Sequence, residues 1–164
     1  MEQGPILVRP VRFRDAAALE AFYARLSPES RGLRFMGASR GISGAQALRF
    51  VLAEQRRANG FVALERASGL IVGHLCLEPL RPAVEEIGVA VEDRYQRRGI
   101  GRCLLRAAVA SARRRGIGCL EARMLAGNTG IHRLLEHTGI PWRRHPVDTG
   151  GELVSLDVAG SAAA

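Results

Sequence analysis

Apolar and polar residues alternate over residues 6–12, the period of two expected of a strand with one buried face. The pattern then changes to a helical one. Asp15 can cap a helix in which Ala18, Leu19, Phe22 and Leu26 recur at helical spacing. Pro28 suits the start of a second helical piece, and Ser43, followed by Ala47, Leu48, Val51 and Leu52, suits the start of a third. Residues 31–44 between them hold Gly32, Gly37, Gly41 and Gly44 and read as loop-rich. Residues 61–66 and 70–77, separated by Ala67-Ser68-Gly69, predict a hairpin; Pro79 and Pro82 then mark a connection to the apolar strand 87–91.

Over residues 100–115, Leu104, Leu105, Ala108 and Ala112 fall on one stripe, while Arg102, Arg106 and Arg113 lie elsewhere on the wheel. Arg113-Arg114-Arg115-Gly116 closes this helix with basic residues against the negative dipole end and a glycine past the last turn. A strand at 119–125, a helix at 129–137 and strands near 142–147 and 153–158 complete the pattern. The elements predict an α/β (α+β) fold, a mixed sheet flanked by helices, without internal repeats.

At 164 residues and 47% hydrophobic content the chain is long enough for one domain with a real core and short for two, so a single domain over 1–158 is expected. The small residues of 159–164 predict a frayed, flexible tail. Cys76, Cys103 and Cys119 are widely spaced and each lies in an apolar pattern. They read as reduced core residues, and no CxxC or Cys/His cluster has metal-ligand spacing, so no metal is expected. The chain has no apolar run of membrane length and no leader-like start, which predicts a cytoplasmic protein with no membrane partner.

A formal net charge of +8 raises the question of nucleic acid. All 24 basic residues are arginine, scattered through every segment, and aromatics make up only 5%. Few stacking platforms and no interleaved basic and aromatic ladder argue against a nucleic-acid binder. The absence of lysine is explained more simply by a GC-rich coding bias. A positive cleft would still speed the arrival of a polyanionic ligand.

The most informative stretch is Gln96-Arg97-Arg98-Gly99-Ile100-Gly101, between the strand at 87–91 and the long helix. A glycine pair at a helix mouth lets main-chain N–H groups approach an anion, and the amides of the first helical turn carry the positive end of the dipole. Arg97, Arg98 and Arg102 can add forked hydrogen bonds to phosphate oxygens. The spacing matches neither a dinucleotide fingerprint nor a Walker loop, whose lysine the chain lacks.

This stretch resembles the Gln/Arg-x-x-Gly-x-Gly/Ala motif of the GNAT superfamily of N-acetyltransferases. Three further passages carry the likeness over almost all of the chain. Glu85-Glu86-Ile87-Gly88-Val89-Ala90-Val91 resembles the family's central strand; Asn128, Ile131, Leu134, Leu135 and Thr138-Gly139-Ile140 resemble its carboxy-terminal motif. Val8 to Asp15, Ala21-Phe22-Tyr23 and Leu26 to Arg31 are similar to the acetyltransferase modules of bacterial protein-lysine acetyltransferases.

The resemblance implies a mostly antiparallel central sheet with splayed central strands, and acetyl-CoA as co-substrate. It implies that Gln96, Arg97, Arg98, Gly99, Ile100, Gly101 and Arg102 hold the pyrophosphate, while Val89, Ala90, Val91 and Asn128 meet the pantetheine arm. The acceptor it implies is a primary amine, with a protein lysine favoured; a small-molecule amine or aminoglycoside, and a non-catalytic acyl-CoA sensor, stay open. So does a homodimer through edge strands.

Transfer to an amine needs the neutral amine, and a lysine-like ammonium with pKa near ~10.4 must first lose a proton. The resemblance points to Glu86 as the base, and the bland reading is a glutamate solvated at a strand edge. Glu85 would face the other way in a regular strand; Glu78 and Glu121 are more distant alternatives. Asn128 is equally suited to capping a helix. Where many relatives carry a tyrosine that protonates the leaving thiolate, this chain has Leu135, and His132, one turn earlier, is a candidate to replace it.

Overall fold

The structure, a computed structural model, describes residues 5–37, 39–147 and 150–159; most of the predicted tail lies outside them. The strands are β1 (Ile6–Pro10), β2 (Gly60–Glu65), β3 (Ile71–Arg81), β4 (Val84–Val91), β5 (Cys119–Leu125), β6 (Trp142–His145) and β7 (Gly151–Asp157). The helices are α1 (Ala16–Arg25), α2 (Pro28–Phe35), α3 (Gly44–Arg57), α4 (Ile100–Arg114) and α5 (Thr129–Glu136). One seven-stranded sheet runs β1-β2-β3-β4-β5-β7-β6. Every neighbouring pair is antiparallel except β4 and β5.

Two apolar layers hold this sheet between helices. The α4 stripe of Leu104, Leu105, Ala108 and Ala112 is buried with Phe61, Leu75 and Leu120 on one face. Leu19, Phe22 and Tyr23 of α1 and Val51 of α3 are buried with Val62 and Ile71 on the other. Burial of each large side chain contributes about 2 kcal/mol, well above an exposed pair such as Arg57–Glu78 at 3.8 Å. Alternation along β4 sends Ile87, Val89 and Val91 to the α4 layer and Ala90 to the α1 layer.

Several boundaries differ from the sequence expectation. The stretch 31–44 is not loop throughout, because α2 continues to Phe35. Ser27 Oγ caps it by accepting from Ser30 N, Pro28 occupies its first turn, and Met36 ends it with a left-handed φ of 56°. Strand β3 runs past Pro79 to Arg81, with a register irregularity between those two residues. The ladder to β2 has already ended at Cys76, so the missing proline N–H interrupts no central pairing. Asp15 precedes α1 without capping it; its carboxylate accepts from Arg9 and from Arg12 N instead. Cys103 is exposed and Cys119 half-buried, so only Cys76 is a core cysteine. Among the described residues no helix is long and apolar enough to cross a membrane.

At the end of α4, Arg115 does more than complement the helix dipole. Its guanidinium holds both oxygens of Glu85, at 2.5 and 2.7 Å. Glu85 is 3% exposed on the α4 side of β4, so it needs that partner. Removing the partner in Arg115→Ala should cost about 3 kcal/mol of stability. Chemical denaturation reads this as a lower midpoint with an unchanged slope.

Candidate functional site

β4 and β5 lie parallel and side by side for only three residue pairs, Val84–Cys119, Glu85–Leu120 and Glu86–Glu121. Beyond them the two strands part. The edge of β4 from Ile87 to Val91 then faces a cleft of about 820 Å³ whose other walls come from α2, the start of α4, β5 and α5. β4 is still paired to β3 along this stretch, so the strand is held straight on one side and left open on the other.

One end of the cleft is the mouth of α4. Gly99 precedes its first residue with φ 79°, a left-handed conformation that suits glycine, and no side chain caps the helix. A Cβ on Gly101 would meet Leu134 only at 3.6 Å, an ordinary contact. Packing within the chain therefore does not demand a glycine at 101. What a side chain there would fill is the space over the first-turn amides, the place where an anion would sit. Arg97 and Arg102 line the same end. The geometry fits a phosphate group.

Not every residue of the motif faces the cleft in the same way. Gln96 lines it, yet its side-chain amide donates to Ser30 Oγ at 3.1 Å and Val91 O at 3.1 Å, tying α2 to the end of β4. Asp93 reinforces this tie by accepting from Ser27 N, Ser27 Oγ and Ser30 Oγ at 3.0, 2.6 and 2.7 Å. Arg98 does not line the cleft, and its guanidinium lies 5.5 Å from the Tyr95 ring centre. Ile100 is 4% exposed and anchors the helix mouth in the core. Asn128 does both things expected of it: it lines the cleft, and its Oδ1 caps α5 by accepting from Ile131 N. Val89, Ala90 and Val91 all line the cleft.

The vertex of the splay is acidic. Glu86 is the last β4 residue paired to β5, and register aligns it with Glu78 on β3 and Glu121 on β5, so all three share a face. Their bonding separates them. Glu121 is claimed by the Arg81 guanidinium, and Glu85 by Arg115 on the opposite face. Among the described residues Glu86 has only Arg123, at 4.0 Å, and its side chain is 33% exposed. It lies just beyond the cleft wall, two residues along the same face from Gly88, which lines it. Glu78 is half-exposed; burial and the neighbouring Glu54 carboxylate hold its carboxyl above the ordinary value.

Beneath this corner runs a buried polar chain that the sequence did not announce. His74 Nε2 lies 2.8 Å from Glu54 Oε2, and His74 Nδ1 lies 2.8 Å from the Tyr23 hydroxyl. With Glu54 a carboxylate, Nε2 donates to it and Nδ1 accepts from Tyr23. Glu54, Cys76 and Glu78 bring ligand atoms within 4.8 Å of one another. The group is unsuited to a cation: Arg34 donates to Cys76 Sγ at 3.2 Å, and burial pushes that thiol up to about 12.

The candidates for a general acid fare poorly. Leu135 is in the core at 2% exposure. His132 is turned away from the cleft, 2.5 Å from Glu152 and against the Trp142 ring. The Tyr23 hydroxyl is engaged by His74, and Tyr95 lines the cleft but donates its hydroxyl to Glu65 at 2.8 Å. His137, which sequence reading passed over, does line the cleft, with its Nδ1 donating to Arg133 O at 2.7 Å.

A model of the acetyltransferase (GNAT) family matches residues 19–140, a span that contains the helix mouth, the splay and α5. An acetyltransferase of Pseudomonas aeruginosa is 29% identical over 150 residues, covering 88% of this chain and 79% of that protein. The acetyltransferase Pat of Mycolicibacterium smegmatis is 34% identical over 73 residues, covering 44% of this chain and 21% of Pat. Among solved structures, the GNAT domain of S. lividans PAT superposes with a TM-score of 0.79 at 25% identity, over 92% of this chain and 89% of that one. The Salmonella typhimurium acetyltransferase yncA, solved with acetyl-CoA, has the same fold, with a TM-score of 0.75 at 22% identity over 98% of each chain.

The Asp93 tie carries its own pH dependence. Burial pushes its carboxyl up, but hydrogen bonds from Ser27 and Ser30 outweigh that and hold it below the ordinary value. A lowered folded-state pKa stabilises above the unfolded value, near ~3.9, and the contribution disappears as pH falls through the folded value. Hydrogen exchange, corrected for intrinsic rates, should find α2 amides protected at pH 6 and released on descent below about 4. Asp93→Asn should show weakened protection already at pH 6.

Proposed function

The chain belongs to the GNAT family of acetyltransferases, and from that premise we propose that this acetyl-CoA-dependent N-acetyltransferase transfers its acetyl group directly to a primary amine, with a protein lysine as the favoured acceptor. The observation that carries the reading is the splay, with an anion cradle at its open end and a loosely paired glutamate at its vertex.

In this reading the amides around Gly99 and Gly101, with Arg97 and Arg102, hold the diphosphate, and Arg98 adds to the positive field from outside the cleft. The unpaired edge of β4 takes the pantetheine arm as a neighbouring strand would, through Val89 to Val91, and Asn128 closes the far side. The thioester then lies toward Glu86, where main-chain N–H near Val89 polarises its carbonyl oxygen. The acceptor ammonium is drawn to the carboxylates of Glu86 and Glu78, and Glu86 removes its proton, directly or through one water. The nitrogen attacks the carbonyl carbon, the C–N bond forms, and the C–S bond breaks. The thiolate leaves as a group of pKa about 8.5 and takes up, relayed through water, the second proton that the nitrogen sheds as the amide forms, which makes the absence of a tyrosine at Leu135 tolerable.

Leu135 is also what favours the rival reading, an acyl-CoA sensor without turnover. Replacing Glu86 separates the two. Glu86→Gln should lower kcat on lysine peptides at neutral pH by about a hundredfold or more, while calorimetry still detects coenzyme A binding. The residual rate should climb with pH as the free amine becomes available in solution. Turnover is followed by thiol release; a wild-type protein that binds coenzyme A and releases no thiol with any amine would overturn the catalytic reading.

A further inference from the structure

Arg34 of α2 is a cation that no carboxylate among the described residues touches. Its guanidinium lines the cleft and lies over Gly88, so close that a Cβ there would come within 2.5–2.9 Å of it. One face stacks on Phe35 at 5.1 Å, and its NH2 group donates to Cys76 Sγ at 3.2 Å. Its Nε is buried without a hydrogen-bond partner. Among the described residues no carboxylate lies within 4.0 Å of it.

The neighbours that might neutralise it do not. Tyr23 and Cys76 are both neutral at pH 7, because burial pushes the hydroxyl and the thiol up. Glu54 is engaged by His74, and its carboxylate and that of Glu78 act on Arg34 through space without touching it. Tyr23, at the end of the His74 chain, and Phe35 lie beside the guanidinium and hold it in place. A half-buried charge lacking a counter-ion is costly, and the cost is recovered only when a ligand supplies the anion. A guanidinium takes a carboxylate through two parallel hydrogen bonds.

Position says which ligand. Gly88 and Glu86 lie on one face of β4, about 6–7 Å apart along the strand. We propose that Arg34 is the acceptor's carboxylate receptor: the amine that approaches Glu86 belongs to a molecule carrying a carboxylate a few ångströms away. This deepens the reading of the cleft as an amine acetyltransferase site. On a protein acceptor the carboxylate is an acidic side chain flanking the lysine, which agrees with the preference of a chain of net charge +8 for acidic partners. On a small acceptor it is the carboxylate of an amino acid.

The test compares kcat/KM in two arms. The first uses a lysine peptide with glutamate beside the lysine and the same peptide with glutamine there; the second uses Nα-acetyllysine and its decarboxylated counterpart N-acetylcadaverine. The carboxylate-bearing member of the preferred arm should win by about tenfold, the ratio should fall to near one in Arg34→Gln, and Arg34→Lys should keep part of it. Gly88→Ala, whose Cβ pushes the guanidinium aside, should lower the same ratio and serves if the Arg34 variants fold poorly. An effect confined to the small-molecule arm upholds the receptor and overturns the protein-lysine reading. Turnover in both arms with ratios near one, or ratios that survive Arg34→Gln, overturns the receptor and leaves the lysine reading standing. No turnover in either arm overturns both.

Discussion

Where β4 and β5 stop pairing after Glu86 and Glu121, a sheet that would otherwise satisfy its own main chain leaves one strand edge facing open space. Every other feature of the site is arranged around that broken ladder. The unpaired edge is costly unless something completes it, because strand N–H and C=O groups must find partners. A ligand with its own amide groups can do so, and β3 holds β4 in register from behind while it happens. The splay therefore offers a groove built from backbone, whose open edge depends little on which side chains line it.

The two ends of the groove have opposite polarity. At the open end, the uncapped mouth of α4 and the arginines around it attract negative charge. At the vertex, strand register stacks three glutamates on one face, and two arginines elsewhere remove competitors by binding Glu121 and Glu85 tightly. Glu86 remains loosely held, as the proposed role of picking up and releasing a proton requires. The abundance of arginine in this chain thus serves several ends: Arg115 and Arg81 stabilise, Arg97 and Arg102 face the cradle, and Arg34 is left, among the described residues, without a carboxylate in contact.

Helix α2 is the wall that could most easily have been elsewhere. It is short, and none of its residues is fully buried. The side chains of Asp93 and Gln96, in the loop just before α4, fasten it to the end of β4. The same loop that shapes the cradle thereby positions the wall that carries Arg34, adding hydrogen bonds to the apolar contact of Phe35 with the α1-side core.

Local pattern was enough for much of this. The α4 stripe, the Gly99–Gly101 mouth, the alternating β4 strand and the Ser43 cap are written in residues a few positions apart, and such short-range physics can be read from sequence alone. Composition and period likewise determined the mixed sheet flanked by helices. What the tertiary structure decided is which charges meet. Gln96 bonds to Ser30, Arg115 to Glu85, Glu54 to His74 and Arg34 rests on Gly88, partners separated by 20 to 66 positions in the chain. Glu85 and Glu86 are identical in composition and adjacent in sequence. Only the face each takes in the folded sheet buries one against Arg115 and leaves the other at the vertex, because a side chain's partners are set by the packing of distant elements and not by its neighbours in the chain.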